Sequence, residues 1–141
     1  MKTLPIAWPL RAGGLALLLT VALAAHALDR GTFLERHAFV VGGVGQDEVA
    51  QLEQERGNYT LKLVTADRAT TAYLADVRVL IRDAGQKVVF DRVLSGPWLL
   101  IDLPPGRYDI DASFQGQAQR SSATITGRQR QDINLMFNAR G

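Results

Sequence analysis

The stretch that most restricts this chain is Trp98 to Phe114. A short apolar run, Trp98 to Leu103, stops at Pro104-Pro105-Gly106. The chain then resumes with Tyr108, Ile110, Ala112 and Phe114 at every second position and Arg107, Asp109, Asp111 and Ser113 between them. A period of two places alternate side chains on opposite faces of a strand, so this segment has one dry face and one wet face. Proline lacks the amide hydrogen a β-ladder needs, and glycine tolerates backbone angles closed to other residues, so Pro-Pro-Gly forces a turn between two strands.

The same signals recur after Gly57. Strands are expected at Tyr59–Thr65, Asp76–Arg82, Lys87–Val93, Trp98–Leu103, Tyr108–Phe114, Gln117–Thr126 and Gln129–Phe137. Asp83-Ala84-Gly85-Gln86 and Gln115-Gly116 have the composition of hairpin loops. The Gln117 strand has few large side chains and is expected at a sheet edge. The expected fold is therefore mainly β, a seven-stranded antiparallel β-sandwich with one short N-terminal helix. Its inward set would be Leu61, Leu63, Val77, Val79, Ile81, Phe90, Trp98 or Leu99, Ile101, Leu103, Tyr108, Ile110, Phe114, Ile133, Leu135 and Phe137. Upstream, Gly42-Gly43-Val44-Gly45 reads as a flexible turn. Asp47 is expected to cap a helix running to about Arg56, with Val49 and Leu52 as its apolar stripe and Gly57 at its exit. Leu28 to Val41 shows no clear period, and a first strand at His37–Val41 is one reading of it.

The N-terminus carries a compartment signal. Lys2 and Arg11 precede an uncharged stretch from Ala12 to Ala25, and Ala25-His26-Ala27 has the small-x-small pattern of a signal-peptidase site. The expected organisation is a signal peptide at 1–27, a lead-in and short helix at 28–57, and a sandwich domain at 58–141. A periplasmic or secreted location follows, with no stable membrane anchor after cleavage, since the run is shorter than the ~20 residues a bilayer span needs. The whole chain has 16 basic and 14 acidic residues, a net charge of +2. Loss of Lys2 and Arg11 leaves 14 of each, so the processed chain is formally neutral. Neutrality, with no run of adjacent Lys or Arg beyond Arg128-Gln129-Arg130, argues against nucleic-acid binding. The chain has no cysteine, which excludes thiol catalysis, cysteine–zinc sites and disulfides.

Leu103-Pro104-Pro105-Gly106-Arg107-Tyr108-Asp109-Ile110, preceded by Asp76-Val77-Arg78-Val79 and the Asp83–Gln86 hairpin, resembles the carboxypeptidase regulatory-like domain family. The resemblance spans about Asn58 to Phe137 and implies a transthyretin-like (prealbumin-like) β-sandwich. It also implies a non-catalytic accessory or binding module. Hydrolases of that fold use histidines and a Tyr-Arg-Gly-Ser type C-terminus. Here His37 is the one histidine after the signal, and the chain ends Phe137-Asn138-Ala139-Arg140-Gly141, which argues against the enzymatic branch.

Other candidates for chemistry are sparse. Asp109 and Asp111 share a strand face, and with Asp102 they form the best available calcium set, although no Asp-x-Asp-x-Asp loop is present. As an acid–base pair they lack any sign of a pocket to shift their pKa values. Gly42–Gly45 lacks the Gly-Lys-Ser/Thr ending of a phosphate loop. Trp98 beside Pro97 is either packing or a surface aromatic. The expectation is a non-enzymatic protein without cofactor or metal. Its partner would be an unidentified protein or envelope component, and its candidate partner surface is Trp98, Pro104, Pro105, Asp109 and Asp111. A hydrolase built on His37 and a neighbouring carboxylate, and a structural subunit of a surface assembly, are the alternatives.

Overall fold

Alternation after Gly57 translates directly into paired strands. The structure, a computed structural model, describes residues 28–34, 36–127 and 129–139. The expected signal peptide and the question of an anchor fall at 1–27, outside the described residues. The elements are β1 (Asp29–Phe33), β2 (His37–Gly42), α1 (Gln46–Glu55), β3 (Leu61–Asp67), β4 (Arg78–Asp83), β5 (Val88–Val93), β6 (Trp98–Ile101), β7 (Gly106–Phe114), β8 (Gln117–Ile125) and β9 (Gln131–Phe137), with a 3-10 turn at Arg56–Asn58. One sheet has the order β1-β2-β6-β3-β9 and the other β5-β4-β7-β8. No helix among the described residues is long and apolar enough to cross a membrane.

The chain is thus mainly β with two sheets. Inward side chains of both, Leu61, Leu63, Leu99, Ile101, Leu135 and Phe137 from one and Val79, Ile81, Phe90, Tyr108 and Ile110 from the other, form one buried cluster. Each such side chain contributes about 1.5–3 kcal/mol of gross burial. The Pro-Pro-Gly turn is locked by its neighbour: the Tyr108 hydroxyl donates to the Pro104 carbonyl at 2.7 Å. The buried tyrosine therefore ties the turn to the strand it opens. Burial, with Asp83 nearby, raises the pKa of this phenol. The β7–β8 hairpin closes through Gln115 and Gly116, both at positive φ (48° and 75°), the geometry that matches strand twist in two-residue loops. At the β4–β5 hairpin the Asp83 carboxylate accepts from the Gly85 and Lys87 amides, each at 3.0 Å. β8 is an edge strand, as its polar sequence implies.

Four features differ from the expectation. There are nine strands, not seven. The seven expected after Gly57 are β3 to β9; β2 falls where one reading placed a strand, at His37–Val41, and β1, not expected, pairs with it from Asp29↔Val41 to Phe33↔His37. β1 buries only Phe33 among its five residues, so it carries no apolar period. It is tied down by ion pairs instead, Arg30 with Glu55 at 2.6 Å and Asp29 with Arg92 at 3.0 Å. Second, the sheets are not wholly antiparallel. β9 runs parallel to β3, from Leu61↔Gln131 to Asp67↔Phe137, and side-chain alternation is the same for either direction. Third, Asp47 does not cap α1. Gly45 holds that position without a side-chain bond, while Glu48 reaches back to accept from the Gly43 and Val44 amides at 3.2 and 3.4 Å. Fourth, Phe114 is only partly buried, its ring packing at 5.8 Å from Phe137.

The central strands of the first sheet are buried on both faces. Leu99 and Ile101 point into the common core, whereas Trp98 and Leu100 join Val40, Val64, Leu52 and Tyr59 in a second cluster on the outer side. Helix α1 covers that side, with Leu52 fully buried. A strand dry on both faces reads as a continuous apolar run, which is why Trp98-Leu99-Leu100-Ile101 shows no alternation.

Candidate interaction site

The five sequence-predicted surface residues do not come together. Trp98 lies on the helix-covered face of the first sheet and is 2% exposed, so it packs as a core residue and is not a free surface aromatic. Pro104 and Pro105 hold the β6–β7 turn described above. Asp109 and Asp111 lie on the outer face of the other sheet, where two arginines pair with Asp111. Asp111 accepts from Arg82 Nη1 at 2.7 Å and from Arg120 Nε at 2.9 Å. Asp109 accepts from Gln86 Nε2 at 3.3 Å. One strand further, Arg78 makes a two-pronged contact with Asp91, both at 2.9 Å. The Arg78 guanidinium holds the Asp91 carboxyl below its ordinary pKa. A depression of about 410 Å³ runs over Arg82, Asp109, Asp111 and Arg120, with Asp111 paired to both arginines.

Asp102 is not part of that group. It follows β6, and its Oδ2 lies 3.8 Å from His37 Nδ1, beyond hydrogen-bond length. The His37 ring packs 5.5 Å from Phe33. Among the described residues no cluster of three or more His, Asp or Glu side chains is arranged to hold a metal ion.

A different surface stands out at the N-terminal end of α1. The Gly42–Gly45 turn brings the chain from β2 into the helix, and it passes directly over Trp98. Gly43 has φ +94°, and a Cβ there would lie 2.8 Å from Trp98 Cδ1. Only glycine meets both demands. Across from it stands Tyr73, from the connection between β3 and β4. Tyr73 forms an isolated bridge with Ala66. The next residue is held twice by Thr65: the Leu74 amide donates to the Thr65 carbonyl at 3.0 Å, and the Thr65 hydroxyl donates to the Leu74 carbonyl at 2.6 Å. A fixed backbone thus presents a large aromatic that is 53% exposed. Its ring meets Trp98 edge-on at 6.4 Å.

Between Tyr73 and the helix lies a groove of about 420 Å³ lined by Gly43, Gly45, Gln46, Val49, Ala50 and Tyr73. Val44 beside it is 38% exposed. Lys62 lies beneath, its Nζ 3.7 Å above the Trp98 ring and 3.7 Å from Glu53 Oε1. The Trp98 indole N–H is buried without an acceptor among the described residues. Most buried donors are paired, so this one is an exception. Sequence reading passes over Tyr73 because it sits in a polar connection, and over Gly43 because its constraint comes from a tryptophan 55 positions away. The one local hint is the density of glycine in Gly42-Gly43-Val44-Gly45.

No known family model matches this chain, and comparison with curated proteins finds no match to it.

Proposed function

We propose that this protein is an exported, non-catalytic binding module that attaches to another component of the cell envelope through the Tyr73 groove. The observation that carries the reading is the rigidly held, half-exposed Tyr73 beside an apolar groove. Isolated exposed apolar residues are ordinary on protein surfaces, but an aromatic fixed next to an apolar concavity has the character of an interface anchor. On the opposite sheet face, by contrast, Asp91 and Asp111 are already paired with arginines.

The finer fold and compartment belong to the same proposal. Strands β3 to β9 supply the seven strands of a prealbumin-like sandwich, in keeping with the resemblance of Leu103–Ile110 to carboxypeptidase regulatory-like domains. In this reading β1, β2 and α1 are additions that build the groove. Cleavage after Ala27 would leave Leu28, partly buried against the helix-side cluster, as the first residue in the periplasm or outside the cell. The hydrolase alternative has one observation in its favour, the 3.8 Å approach of His37 to Asp102. It lacks a hydrogen bond between them.

Gentle extraction of the envelope fraction followed by size-exclusion chromatography tests the proposal. The wild-type protein should begin near Leu28 by N-terminal sequencing and elute well above its own mass, whereas Tyr73→Ser should elute as free protein. Elution of both as free protein, or a start at Met1, would overturn it.

A further inference from the structure

The outer strands of the two sheets are not equally closed. β8 and β9 meet along one side of the sandwich and are tied together by two glutamines. Gln131 Oε1 accepts from the Thr124 amide at 3.2 Å, and the Gln117 side chain both donates to the Asn138 carbonyl and accepts from its amide. β5 is broken by a register shift opposite Ile81 and Arg82, and such a bulge is a common guard against edge pairing. β1 pairs with β2 in unbroken register, and among the described residues no strand pairs with its outer edge.

The ladder shows which groups that edge presents. The Asp102 amide donates to the Ala38 carbonyl at 3.0 Å, so Ala38 and Val40 turn their main-chain groups toward β6. His37, Phe39 and Val41 turn theirs toward Phe33, Gly31 and Asp29 of β1. Arg30 and Thr32 are left with amides and carbonyls directed away from the sheet. Side chains do not obstruct that row. Arg30 pairs with Glu55 and Asp29 with Arg92, one on each face of the sheet rather than across its edge.

We propose that this edge takes β1 of a second copy of the chain, as an antiparallel two-fold pair centred on Gly31. The register is self-complementary. Arg30 and Thr32 of one protomer exchange main-chain bonds with Thr32 and Arg30 of the other. Asp29 meets Phe33, glycine meets glycine on the axis, and no like charges stand directly opposite. Leu34, 41% exposed, falls opposite Leu28. The first sheets of the two copies join into one, and the two-fold contact closes as a dimer. It is independent of the Tyr73 groove.

So short a ladder gives a reversible dimer, which sedimentation equilibrium of the purified protein detects. The mass should rise from one chain toward two with concentration, and amide exchange at Arg30 and Thr32 should slow over the same range. Thr32→Pro removes an outward N–H that the fold itself does not use and should hold the protein at the mass of one chain. Thr32→Lys sets a lysine opposite Arg30 twice in each dimer and should weaken it about tenfold; it decides the matter alone if Thr32→Pro fails to fold. Tyr73→Ser should leave the dimer unchanged. A single-chain mass at every concentration, a dimer of folded Thr32→Pro, undiminished pairing of Thr32→Lys, or a dimer lost in Tyr73→Ser would overturn the proposal.

Discussion

The outer faces of the two sheets differ in how their strands were written. On the β5-β4-β7-β8 sheet the outer face is mostly polar, with Leu80 and the exposed Val93 among its charges, and it carries the ion pairs of Arg78 with Asp91 and of Arg82 and Arg120 with Asp111. On the β1-β2-β6-β3-β9 sheet the central strands are apolar on both sides, so their outer face requires a cover, and α1 provides it with Leu52. A ten-residue helix does not cover a five-stranded sheet completely. Its N-terminal border leaves Tyr73, Val44 and the apolar groove in contact with water. Alternating strands supply most of their own polar surface, whereas doubly buried strands need another element to cover them.

Loss of the cover should be the most damaging change. Leu52→Ala removes a fully buried side chain from beneath α1 and is expected to cost about 2–5 kcal/mol, measured as a fall in the urea midpoint. A value near zero would mean the helix does not seal the sheet. Next comes Gly43→Ala, which must adopt φ +94° and place a methyl 2.8 Å from Trp98 Cδ1. A loss of about 1–3 kcal/mol is expected, with a changed near-ultraviolet signal from the displaced tryptophan. Tyr108→Phe deletes the hydroxyl bonded to the Pro104 carbonyl and should cost about 0.5–1.5 kcal/mol. On the charged face, Asp111→Asn weakens two ion pairs whose partners are partly to largely exposed, and its effect should be at most about 1 kcal/mol and shrink with salt. Were it to match Leu52→Ala, the contrast between the faces would be lost.

A pH experiment sharpens the same picture at the groove's far support. Asp67 closes the β3–β4 connection that carries Tyr73, accepting from the Thr70 hydroxyl at 2.6 Å and from the Thr70 and Ala139 amides at 3.0 and 2.9 Å. The Thr70 hydroxyl first, and then the Ala139 amide, hold its carboxyl below the ordinary carboxylate pKa. A depressed folded-state pKa means that its stabilisation is complete above the unfolded value of about 4 and is lost as pH falls below it. Asp67→Asn should therefore flatten the acid limb of the stability curve while leaving the slope at neutral pH unchanged.

These contrasts also mark what was legible in the residues. The strands from β3 to β9, both hairpins and the β8 edge follow from alternation, the short apolar run of β6 and turn chemistry between Leu61 and Phe137. The helix appears one residue from its expected start, because Glu48 rather than Asp47 reaches back over the turn. β1 was invisible because pairing and ion pairs hold it, not burial. The parallel sense of β9 leaves no trace in side-chain period. The surface set named from sequence, Trp98, Pro104, Pro105, Asp109 and Asp111, scatters over two faces and a turn. Tyr73 became prominent only when the fold set it edge-on to Trp98, 25 positions later in the chain.

The most direct test of the difference between the two faces is photo-crosslinking in living cells, with a photoreactive residue placed either at position 73 beside the groove or at position 122 on the charged sheet. The account predicts a discrete higher-mass adduct from position 73 and none from position 122. Adducts from position 122 alone, or equal yields from both, would contradict it.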